Sequence, residues 1–155
     1  MLLRPVMALE RGIVGKVVED IKDWITHITT PQEHLGGFPV CPFASKASYC
    51  VKEASMSDVG PVEGVDVAIF VVGNVALSQL LQRVDELNMT YRDYTFLDDH
   101  ISEPTYINGV RSYFGKDNLI LVQKRDKLLA AREILRTTDY YKFWSSEMYN
   151  RIVEG

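Results

Sequence analysis

A chain of 155 residues, 46% hydrophobic and 25% charged, fits one α+β-sized globular domain over 1–155, large enough to bury about two thirds of its unfolded surface. Its formal charge of −4, with no stripe of basic and aromatic residues, argues against a nucleic-acid partner. No apolar run reaches the roughly 18 residues of a membrane span, and the opening run is too short for a signal peptide, so a cytoplasmic protein without a membrane partner is expected. Cys41 and Cys50 are then expected as free thiols, and the sequon Asn88, Met89, Thr90 carries no information.

Residues 4–15 have no clear period and read as an arm, strand or short helix docked on the surface. From Val17 the period is helical. Val17, Ile21, Trp24 and Ile28 share a face with Val18 and Ile25 beside them, while Glu19, Asp20, Lys22 and Asp23 lie opposite. Thr30 before Pro31 ends this helix, because a residue preceding proline is driven out of the α region. Residues 34–46 follow, with Gly36, Gly37, Pro39 and Pro42 around His34 and Cys41. The prolines push Phe38 and Cys41 toward extended backbone, which holds the Cys41 thiol on a stiff segment packed into the body.

Residues 47–54 read as a strand with Tyr49 and Val51 on one face and Cys50 on the other. After a turn over 56–64, the continuous apolar run 65–72 reads as a central strand covered on both faces, with Ile69 and Val71 in the core. Gly73 and Asn74 break it, and Leu77, Leu80, Leu81, Val84 and Leu87 mark a second helix with Asn88 as its C-cap. A third strand, 91–97, sets Tyr94 and Phe96 against Asp93 and Thr95 and runs into Asp98, Asp99 and His100. Residues 101–116 form a long connection with a turn signal at Asn108 and Gly109, 118–123 reads as a fourth strand with the start of a helix as the alternative for so short a run, and a helix carries Leu128, Leu129, Ile134 and Leu135. Thr137, Thr138 and Asp139 then cap a C-terminal helix whose apolar face is Tyr141, Trp144, Met148 and Ile152. This order predicts an α+β two-layer sandwich, a four-stranded, largely antiparallel sheet with helices on one face. A circular permutation of the ferredoxin-like plan is the topology it matches.

Cys41, Pro42, Phe43 and Ala44, placed soon after a helix containing Trp24 and followed by Val51, Lys52, Glu53 and Ala54, resemble the motif of an uncharacterised bacterial family. A looser likeness runs through residues 103–108 and 121–125. The chain departs from that family's later Phe-His-Pro segment, since Phe96 is followed by Leu97 and Asp98 and the histidine stands at 100. The resemblance implies no activity.

Three constellations could carry chemistry. Cys41 could act as nucleophile, redox centre or metal ligand, each needing the thiolate that a nearby cation or helix N-terminus favours; as a free thiol between Val40 and Phe43 it also suits a packing role. Asp98, Asp99, His100 and Glu103 could bind a cation or serve as acid and base, with Asp98 and His100 converging while Asp99 turns away, or they are a solvated acidic loop. His27, His34 and Cys41, seven residues apart each time, match no recognised metal spacing. Tyr141, Phe143, Trp144 and Tyr149 could stack a ligand, but helical spacing makes most of them core or a subunit contact. No phosphate loop, nucleophile elbow or His-Glu-x-x-His occurs. The expected function is small-molecule binding, or assembly as a homodimer, with a pocket near the Cys41 loop. The alternative is an enzyme using the Cys41 thiol with Asp98 and His100 as acid-base or metal-binding pair.

Overall fold

The computed structural model describes residues 4–5 and 15–154; the segment expected as a surface arm lies outside them over 6–14. The elements in order are β1 (Arg4–Pro5), α1 (Gly15–Thr29), β2 (Ser48–Glu53), β3 (Val67–Val71), α2 (Leu77–Thr90), β4 (Tyr94–Asp99), β5 (Tyr106–Ile107), β6 (Val110–Arg111), β7 (Leu119–Lys124), α3 (Arg125–Arg136) and α4 (Ser146–Tyr149). The class is α+β. One mixed sheet runs β1-β2-β3-β7-β4, and β5 pairs with β6 as a separate hairpin.

β1, β2 and β3 are parallel neighbours, whereas β7 is antiparallel to both β3 and β4, so the sheet is mixed rather than largely antiparallel. The pairing of Val67 with Gln123 and of Tyr94 with Lys124 defines one end of the sheet; Val71 and Asp99, both opposite Leu119, define the other. These ends lie about 17 Å apart, the length of a six-residue strand.

Alternation along the strands builds two cores. Tyr49, Val51, Ile69, Val71 and Leu119 pack on one face with Ile21, Trp24, Ile25 and Ile28 of α1. Cys50, Ala68, Phe70, Ile120 and Val122 pack on the other with Leu80, Val84 and Leu87 of α2. Helices therefore cover both faces, a correction to the two-layer arrangement with helices on one face, and the ferredoxin-like permutation is not the topology found. The reason lies in β3 itself: an apolar strand without a polar side must be buried twice. The parallel β2 and β3 need a crossover along residues 54–66, and Val59, Met56 and Val62 of that crossover fill the α2 face.

The long connection after β4 is a piece of core. Asn108 (φ 46°) and Gly109 (φ 85°) occupy the positive-φ positions of a tight hairpin turn between β5 and β6, and Ile107, Val110 and Phe114 are buried against α1. Trp24 Nε1 donates to the Ser112 carbonyl (3.1 Å), His27 Nε2 lies 2.7 Å from the Arg111 carbonyl, and Asn108 Nδ2 donates to the His34 carbonyl (2.8 Å). The C-terminal region is also not one helix. A 3₁₀ turn (Tyr140–Phe143) gives way at Trp144, and Ser145 caps α4 by accepting from the Met148 N–H (3.1 Å) before a wide π turn (Asn150–Glu154).

β4 is an edge strand, and its outer backbone is protected by a side chain. Asn88 near the end of α2 donates from Nδ2 to the Phe96 carbonyl (3.0 Å) and accepts at Oδ1 from the Phe96 N–H (2.8 Å), in place of the C-cap role expected of it. The amide copies the two bonds a neighbouring strand would make, which blunts the edge. Asn88→Ala is expected to destabilise the fold by about 1–3 kcal/mol, the cost of orphaning partly buried backbone groups. Asn88→Asp keeps the acceptor but sets an anion against the Phe96 carbonyl and should fall no nearer wild type than Ala. Urea unfolding of the three proteins checks this, and a loss below 0.5 kcal/mol in the alanine variant would count against the clamp.

Candidate functional site

The stiff segment 34–46 folds as two tight turns around buried Leu35 and Val40. Gly36 adopts φ 65°, and a Cβ there would stand 3.1 Å from the Phe143 ring, so the close approach its glycine permits is to the chain's own aromatic. Cys41 N–H donates to the Ile28 carbonyl at the end of α1 (2.8 Å). The Tyr140 hydroxyl donates to the Val40 carbonyl. Pro42 then opens a 3₁₀ turn through Ser45.

Cys41 packs against the α1-side core. Burial pushes its thiol above the ordinary value, while the N–H groups of Ala44 and Phe43 pull it back. Cys50, on the opposite face of β2, is buried in the other core. The surroundings of Cys41 are aromatic: Phe38 packs edge-on against Tyr140, and Tyr140 against Tyr141 and Trp144.

Asp98 and His100 lie at the far end of the sheet. His100 is buried, with Nε2–H donating to the Val75 carbonyl (2.7 Å) and Nδ1 accepting from the Ser102 N–H (3.0 Å) and hydroxyl (2.8 Å). Both ring nitrogens are thereby spent on the backbone and hydroxyl of nearby loops. Buried Asn118 works beside it, accepting from the Ile101 N–H (2.8 Å) and donating to the Gly73 carbonyl (2.8 Å). Asp98 is half-buried and makes no side-chain hydrogen bond among the described residues. Asp99 does turn away from it: its carboxylate accepts from the Phe114 N–H on the α1 side (3.1 and 3.3 Å). Glu103 reaches only a distant ion pair with Arg151 (4.0 Å). Cys41 and the Asp98–His100 pair therefore occupy opposite ends and opposite faces of the sheet. Among the described residues no three His, Cys, Asp or Glu side chains are placed to share a metal ion.

Sequence reasoning missed the feature beside the Cys41 turn. An open groove of about 440 Å³ runs between Pro42 and Phe43 on one side and α3 on the other. Ala47 and Val67 stand at its floor, with Leu128, Ala131 and Leu135 forming its α3 wall. Lys46, Lys124 and Lys127 line it with a single carboxylate, Asp66. That carboxylate accepts from the Ser48 N–H (2.9 Å) and pairs with Lys127 (3.4 Å); the Ser48 N–H and Lys127 hold its carboxyl below the usual carboxylate range. The signal was present as apolar residues at 128, 131 and 135, a stripe too small to announce a cavity. A second cavity of about 470 Å³ lies between Arg136, Tyr141, Trp144 and Tyr149, and there the guanidinium is already tied to Glu133 and Glu154.

No helix among the described residues is long and apolar enough to cross a membrane. Comparison with family models, with curated proteins and with solved structures finds no match for this chain.

Two measurements follow from this geometry. A raised thiol pKa leaves little thiolate at neutral pH, so iodoacetamide should label Cys41 in the native protein well over tenfold more slowly than a free thiol at pH 7. Labelling as fast as glutathione would mean an activated sulfur. Burial also pushes Asp99 up to about 7, with the Phe114 N–H opposing and the Asp98 charge reinforcing the shift; Arg111 lowers it. The unfolded carboxyl titrates near 3.9, so between these values the folded state holds a proton that the unfolded state releases. Stability should rise as pH falls from 8 towards 4. Asp99→Asn keeps an acceptor for Phe114 and removes the charge, so thermal melting at pH 5 to 8 should show a higher melting temperature at pH 8 and a flatter profile; an unchanged slope would place the titration elsewhere.

Proposed function

We propose that the protein binds a small, largely apolar molecule in the groove beside the Cys-Pro-Phe-Ala turn. The observation that carries this reading is the groove itself: about 440 Å³, within the size range of small-molecule sites, with a mainly apolar floor and a few polar groups at its edge. Phe43, set by the proline turn, and Leu128, set by α3, provide opposing walls whose backbones belong to regular elements. Cys41 in this reading is a packing residue that seats the turn.

The enzyme alternative, with Cys41 acting together with Asp98 and His100, would have to join groups separated by the length of the sheet, and His100 has no free nitrogen to offer. Assembly as a homodimer has one supporting observation. Leu129 and Ile134 of α3 are large apolar side chains that remain exposed, Ile134 at 69%.

The test uses N-phenyl-1-naphthylamine, a neutral dye that brightens in apolar sites. Saturable binding at micromolar concentration is expected, and Ala131→Trp, which fills the groove from α3, should weaken it at least tenfold while circular dichroism stays native. Equal affinity in the variant, or no binding by the wild type, would remove the reading.

A further inference from the structure

We infer that the groove selects amphipathic anions, molecules with an apolar body and a carboxylate, sulfonate or phosphate head. The inference rests on the reading of the groove as a ligand site and specifies its chemistry. The chain as a whole carries a charge of −4, so a generic patch of its surface should be acidic. The groove departs from this. Lys46, Lys124 and Lys127 line it against one carboxylate. Asp66 is committed to the Ser48 N–H and to Lys127 (3.4 Å), and Lys46 and Lys124 make no ion pair among the described residues. Two ammonium groups are thus left uncompensated at the lip of an apolar cleft.

The chain path explains why they gather there. Lys46 closes the turn that Pro42 begins, Lys124 is the last residue of β7, and Lys127 stands in the first turn of α3, which starts where β7 ends. The apolar wall continues along α3 through Leu128, Ala131 and Ile134, one helical stripe leading away from the lysines. Charge at one end and a hydrocarbon wall leading from it define a ligand with a head and a body. Low-dielectric walls beside the lysines strengthen their attraction for such a head relative to open surface.

The test compares two dyes that share one aromatic body, 8-anilinonaphthalene-1-sulfonate and neutral N-phenyl-1-naphthylamine. The anion is expected to bind at least tenfold more tightly at low salt, and 0.5 M sodium chloride should weaken the anion alone, since it shortens the Debye length to a few ångströms. In Lys46→Gln/Lys124→Gln the preference should disappear, the two dyes binding within about twofold of each other, and Ala131→Trp should weaken both at least tenfold. Equal affinity for the two dyes in the wild type would overturn the anion inference and leave the groove reading standing. Failure of both dyes would remove the reading beneath it. A sulfonate preference that survives in the double lysine variant would put the anion site elsewhere and overturn the inference. So would sedimentation showing a dimer that excludes both dyes and dissociates in Ile134→Glu.

Discussion

The antiparallel pairing of β3 with β7 is the constraint on which the remaining structure depends. Both strands present apolar side chains to both faces, with Ile69, Val71 and Leu119 on one and Phe70, Ile120 and Val122 on the other. Neither face can be left to water, because each large apolar side chain so exposed would forfeit about 1.5–3 kcal/mol. Two covering layers are therefore required, and the chain has few helices to supply them. α1 takes one face and α2 the other, and the gaps are closed by segments that would ordinarily be loops: the crossover 54–66 over the α2 face and the connection 100–118 over the α1 face. That is why Phe114 and Ile107, in a stretch whose sequence looks like a linker, are among the most buried residues.

Much of this was legible in the residues. The helical period of 17–28, the alternation of Tyr49, Cys50 and Val51, and the unbroken run at 65–72 each placed their elements, and each alternation assigned side chains to faces as observed. What failed was the step from elements to layers. Period reports which residues of a helix are buried; it is silent on which face of a sheet receives them. The C-terminal region misled for a related reason. Tyr141, Trp144 and Met148 have helical spacing, but Ser145 offers its hydroxyl to the Met148 N–H and restarts the helix, a local competition that apolar spacing does not register.

The polar residues at the far end of the sheet have a structural role. Asp99, His100 and Asn118 cluster at the C-terminal ends of β3 and β4, where sites on open sheets commonly lie. The loop 72–76 after β3 and the connection 100–118 meet there, and their backbone groups need partners away from water. Asp99 serves the Phe114 N–H, His100 the Val75 carbonyl and Ser102, and Asn118 the Ile101 N–H and the Gly73 carbonyl. Polar residues in a row thus marked a seam between loops. From sequence a seam and a site look alike, since both need donors and acceptors at strand ends. They differ in whether those groups are already satisfied.

The same criterion, applied to the other end of the sheet, points the opposite way. Around the groove Pro42, Phe43, Val67 and Ala131 are only half-buried, and two of the three lysines lack ionic partners among the described residues, so these groups keep interactions to offer a ligand. A lysine on open surface is solvated cheaply and implies nothing. Beside an apolar cleft its position matters more, because a ligand that displaces water from the wall places its own charge where screening is weakest. The fold obtains this arrangement from its geometry: β7 must end on a polar residue to leave the core, α3 must begin at once, and the proline turn must present Phe43 opposite. Cys41, the most conspicuous residue in the sequence, holds that turn against α1 through its backbone bond to Ile28, and so shapes the groove without lining it.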